Sequence, residues 1–139
     1  MLYIDQAAMV AKFGQQVLVD LTDRSGTGLI DVSVLNTAIA AAEAKVNGYI
    51  AGRYAHAMPF TVVPQAVIDA SLAIARYELD GDNGNAIVQQ RHDDAVAFLK
   101  DVSMGKAVLA GVDAVVEPST TSAHIEFQSA SSVFARGVR

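Results

Sequence analysis

The stretch DRSGTGLIDVSV, residues 23–34, comes nearest in residue type and spacing to a chemical site. Oxygen-bearing side chains stand at Asp23, Ser25, Thr27 and Asp31, with Gly28 in the sixth place and Ile30 in the eighth, which is the outline of a calcium loop. Calcium takes about six to eight oxygens, and a carboxylate at the twelfth place normally supplies two of them. Here the twelfth place is Val34, and the third and fifth places carry hydroxyls where charges would raise affinity. What remains is turn chemistry. Gly26 and Gly28 allow positive φ, side-chain oxygens satisfy turn amides, and Asp31 caps whatever helix follows. The expectation is a structural loop without a metal, and an EF-hand-like calcium-binding regulatory module is the alternative.

The other polar clusters converge less. RHDD, Arg91 to Asp94, offers an imidazole and two carboxylates in succession. Consecutive helical residues point in different directions, so a solvated helical face is expected there. His56 and His124 each stand without a carboxylate or nucleophile at helical spacing. With no Cys in the chain, disulfides, thiolate metal sites and a thiol nucleophile are excluded. Neither GDNGN nor GRY matches a phosphate-cradling pattern, and no nucleophile elbow surrounds the serines of the tail. No catalytic residue, metal ligand or cofactor is assigned, and the protein is not expected to be an enzyme.

The elements that would position these residues are helical. Asp5 is an N-cap for a short helix carrying Met9, Val10 and Phe13, and Gly14 interrupts the pattern before QQVLVDL resumes it, giving two short helices or one bent one. Asp31 caps a long helix whose inner face steps through Leu35, Ile39, Ala42, Val46, Tyr49 or Ile50, and Arg53. Its cluster AIAAAEA, residues 38–44, would let another helix approach closely, within one subunit or between subunits. MPFTVVP ends that helix, with Arg53 and Tyr54 expected to fix the turn. Pro64 opens a helix with a stripe at Ile68, Leu72, Ala75 and Leu79, closed by DGDNG. The last helix runs from Asn85 to about Ser103, with Ile87, Val88, Ala95, Phe98, Leu99 and Val102 inward and Gly105 as its stop.

Composition agrees. A chain of 139 residues fits one domain, and 24 Ala within a 52% hydrophobic fraction favour closely packed helices. The N-terminus has no basic segment leading into an apolar run, and no stretch approaches bilayer-spanning length, so no membrane partner is expected. Of the net charge of −5, residues 118–139 hold Arg136 and Arg139 against Glu126, leaving −6 for residues 1–117. An acidic body argues against phosphate-backbone binding as the main activity.

Beyond the helices the character changes. HIEFQ alternates apolar and polar residues over a strand's length, and SASS leads into VFARGVR. A lone strand does not stabilise itself in water, so it docks on its own bundle or adds to a partner. The expected fold class is mainly α: a compact bundle of about four to five helices (residues 1–117) with an extended C-terminal arm (residues 118–139) containing a short β-strand. Ile125, Phe127, Val133 and Phe134 would anchor the arm on a partner, with Arg136 as a charged contact.

Several stretches in succession carry a family resemblance. They are FGQQVLVDLTDRSGTGLID, then NGYIAGRY before a proline-bounded loop, IARYELDG, RHDDAVAFLKDVSMGK and a closing VFAR. Together they resemble the small head-tail connector proteins of Mu-like phages and prophages, in that family's order and over nearly the whole chain. The family's loop often looks like DRDGDGxID, and this chain departs from it at Ser25 and Thr27. The resemblance implies a virion structural protein, an α-helical adaptor assembled in the host cytoplasm and located in the neck between capsid and tail. Its implied partners are the portal protein, neighbouring copies of itself in a ring (by analogy a dodecamer) and the next neck or tail component. DNA would pass through the channel without specific binding. Another small phage assembly protein acting as a monomer is the alternative within this class. A DNA-binding adaptor would need a basic recognition helix, and no expected helix has a basic face.

Overall fold

Local capping chemistry sets where the helices begin. The computed structural model describes residues 2–113. Asp5 Oδ1 accepts a hydrogen bond from the Ala8 amide at 2.7 Å and starts α1, Gln6–Phe13. Gly14, at φ +89°, then separates it from α2, Gln15–Thr22, so the N-terminal region is two helices and not one bent helix. Thr22 is fully buried, and its hydroxyl is used twice. It donates to the Leu18 carbonyl at 2.7 Å and accepts from the Asp31 amide at 3.0 Å, which closes the intervening loop.

Asp31 Oδ1 accepts from the amides of Ser33 and Val34 and caps α3, Val32–Tyr54. A 3₁₀ turn at Ala55–Ala57 and the proline-bounded loop lead to α4, Gln65–Asp80. A second 3₁₀ turn at Gly81–Asn83 precedes α5, Ala86–Ser103, capped by Asn85 Oδ1 through the amides of Ile87 and Val88. Gly105 adopts φ +75° just past α5, and the Arg53 guanidinium lies where a Cβ would stand, 2.8 Å from it, so the expected stop is a glycine for two reasons.

Helices α3, α4 and α5 pack against one another, α1 and α2 lie against α3, and α2 also meets α4. The core runs along α3 through Leu35, Ile39, Ala42, Val46, Ile50 and Tyr54. The alanine cluster divides: Ala38 and Ala42 are buried within the subunit, while Ala40, Ala41 and Ala44 are exposed. At the N-terminus, Tyr3 is buried against Phe60 with ring centroids 6.1 Å apart, and its hydroxyl donates to Asn47 Oδ1. Burial, reinforced by the Glu43 carboxylate, pushes the Tyr3 phenol above its ordinary pKa.

Three expectations need correction. On α4 the deepest residues are Val67 and Ile74, with Ala70, Ser71, Leu72 and Ala75, whereas Ile68 and Leu79 are only half-buried at the core's edge. The helix packs against both α3 and α5, so its buried face is wider than a single stripe. Ile87 points outward, 64% exposed, because the inner face of α5 begins one residue later at Val88. At the end of α3 Tyr54, not Arg53, enters the core.

Tyr54 also does something other than fix the turn into MPF. Its hydroxyl accepts from the Leu109 amide at 3.1 Å, and Leu109 is itself buried, so the segment after α5 returns onto the bundle. Tyr54→Phe strands that buried amide and should destabilise the fold by about 1–3 kcal/mol, read from urea unfolding with the slope unchanged. The described residues contain no strand, and HIEFQ with the rest of residues 114–139 lies outside them.

Candidate functional site

The calcium-like loop occupies its own ligands. Asp23 accepts from the Gly28 amide at 2.6 Å, from the Ser25 amide at 3.2 Å and from the Thr27 hydroxyl at 3.2 Å. Both carboxylate oxygens therefore face donors of the loop itself, while Asp31 faces the start of α3. Among the described residues no group of three or more His, Cys, Asp or Glu side chains is placed to hold a metal ion.

The backbone amides of Thr27 and then Gly28, helped by the Thr27 hydroxyl and the Ser25 amide, hold the Asp23 carboxyl below the ordinary aspartate range. A depressed folded-state value means that the loop's contribution is present above the ordinary value and is lost as pH falls through the lower one. A carbon-detected NMR titration should place the Asp23 midpoint below that of a model aspartate, with the Gly28 amide shift following the same curve.

RHDD is not wholly a solvated face, because its histidine packs. The His92 side chain is only 14% exposed, stacks on Tyr77 with centroids 4.0 Å apart, and places Nδ1 3.1 Å from Asp93 Oδ1. Hydrogen bonds from His92 and then Gln89 hold the Asp93 carboxyl below its ordinary range. Arg91, Asp93 and Asp94 are exposed as expected.

The feature best suited to contact another molecule is an open groove of about 550 Å³ between the end of α1, the first half of α4 and the middle of α5. Phe13, Ala66, Ala70, Ala73, Ala95 and Phe98 give it apolar walls. Lys12, Asp69, Arg91 and Asp94 ring it with two charges of each sign. Helical spacing explains the α5 wall: Arg91, Asp94 and Phe98 are three and four residues apart and share one side. The Arg76 guanidinium lies over the Phe13 ring, 5.9 Å from its centroid. Arg76 is in turn 3.6 Å from Asp80.

Sequence reasoning placed Phe13 and Phe98 in helical stripes and missed that they line one groove. Its only signal was the polar face at Arg91 and Asp94 beside Phe98. A second hollow lies where the described chain ends, between Met58–Val62 and Gly111–Asp113, with Val62 80% exposed on its rim. The expected anchors Ile125, Phe127, Val133, Phe134 and Arg136 lie outside the described residues.

Among the described residues no helix is long and apolar enough to cross a membrane. The family model described as Bacteriophage Mu, Gp36 matches residues 3–127, which takes in the five α-helices of the described residues, Ile125 and Phe127. No curated protein matches the chain.

Proposed function

Because the chain belongs to the bacteriophage Mu Gp36 family, we propose that this phage protein is a head-tail connector of the virion neck. It assembles as a ring on the portal, extends the DNA channel and presents a surface to the next neck or tail component. The family match across the whole helical body is the observation that carries this reading. It acts by assembly and not by catalysis.

The physical features support such a role. A closed ring repeats one heterologous contact, so each subunit must carry two different complementary surfaces. The Phe13–Phe98 groove is one apolar surface on a helical body, and the apolar residues of the C-terminal segment supply a second. A body with charge −6 over residues 1–117 suits a conduit through which DNA slides without adhering.

Electron microscopy of the full chain mixed with its cognate portal tests this reading. Twelve-fold density at the portal's narrow end is expected, and a chain that stays monomeric and apart from the portal would overturn it. Replacing Ile125, Phe127, Val133 and Phe134 together with Ser should leave the helical circular dichroism intact while removing the protein from the portal fraction.

A further inference from the structure

We infer that the groove between α1, α4 and α5 receives the C-terminal segment of a neighbouring copy, residues 118–139, making the repeated contact of the ring. The inference rests on the connector reading and names the surface through which subunits join.

The α5 wall of the groove, Arg91, Asp94 and Phe98, belongs to a row that continues along the helix past the groove's lining. Ile87, Arg91, Asp94 and Phe98 are separated by four, three and four residues and so line one side of α5. At about 1.5 Å per residue this row is on the order of 16 Å long. Ile87, at its far end, is 64% exposed. A row with an uncovered isoleucine at one end and a groove-lining phenylalanine at the other fits a segment with several apolar residues better than a single side chain.

The C-terminal segment has matching chemistry. Ile125, Phe127, Val133 and Phe134 supply apolar side chains, and the segment's charge of +1 opposes the −6 of the body. At the groove, Asp69 and Asp94 each take a hydrogen bond from the glutamine four residues earlier, Gln65 and Gln90, and are exposed. They are the carboxylates that Arg136 would meet.

The chain also has the reach. The described residues end at Asp113, on the wall of the hollow formed with Met58–Val62, and residues 114–139 follow. Fully extended, that length spans up to roughly 85 Å, against a radius of gyration of about 14 Å for a domain this size. A segment that can leave its own subunit, and an apolar groove distinct from it, form the unlike pair that ring closure needs.

Because the chain has no Cys, a disulfide test has no background. One full-length variant carries Ala73→Cys in the groove and a second carries Ala130→Cys, between Phe127 and Val133. The two are mixed and oxidised, free in solution and on the cognate portal. A covalent pair containing one of each is expected, and it should fall at least tenfold when the second variant also carries Phe127→Ser and Phe134→Ser. No mixed pair in either condition overturns the inference, as does a chain bearing both cysteines that closes only on itself. Twelve-fold rings on the portal without the mixed pair would overturn the groove contact and leave the connector reading standing. A mixed pair without rings or portal binding would keep the contact and overturn that reading.

Discussion

Ile74→Ala is expected to lower the unfolding free energy by about 2–5 kcal/mol, a larger cost than any exposed substitution on this chain. Ile74 is fully buried near the middle of α4, the helix that packs against both α3 and α5. Truncation removes buried apolar area and leaves a void, and the void closes only if neighbours move in. Here those neighbours are held by their own contacts on two sides, so collapse is restricted and the upper half of the range applies. For a domain of this size the melting temperature should fall by roughly 10–20 °C. Ile87→Ala is the matched control. The residue type is the same but it is 64% exposed, so the change should stay within about 0.5 kcal/mol. Thermal and urea unfolding of both variants check this, and equal losses would show that the α4 face has been misassigned.

The same pair of isoleucines shows what is legible in the sequence. Caps are local chemistry, so Asp5, Asp31 and Gly105 could be placed by residue type and spacing alone and each marks a helix end in the structure, while Asn85, read as the first residue of the last helix, is its N-cap. Periodicity also found the α3 face, because that helix buries one stripe from Leu35 to Ile50. On α4 it found Leu72 and Ala75 but not Val67 or Ile74, because packing against both α3 and α5 widens the buried face beyond one stripe. Ser71 shows the same effect: it is fully buried because its hydroxyl turns back to the Val67 carbonyl at 2.7 Å. The groove was least legible. Phe13, Ala73 and Phe98 lie far apart in the chain, and no local pattern says that three helices leave them lining one open groove. The stacking of His92 on Tyr77 and the bond from Leu109 to Tyr54 are likewise tertiary, which is why a wholly solvated face was expected at RHDD.

Asp80→Ala should cost about 2–4 kcal/mol, and its consequences reach the groove. Asp80 is the last residue of α4, where the helix dipole disfavours a negative charge, so Arg76 one turn earlier is what makes it tolerable there. Their side chains are only 8% and 15% exposed. Removing the carboxylate leaves a guanidinium in a mostly desolvated site where its Nη1 already lacks a hydrogen-bond partner. Most of the cost is that stranded charge and not the lost attraction, so Arg76→Met combined with Asp80→Ala should recover the greater part of the stability. Assembly should respond differently. The Arg76 guanidinium packs on the ring of Phe13, a wall of the groove, and the double variant removes that cation along with the charge it balanced. Urea unfolding should therefore rank the double variant near the original chain, while disulfide capture between Ala73→Cys and Ala130→Cys subunits should stay reduced in both variants. If capture recovers in step with stability, Arg76 only balances a charge and does not shape the groove.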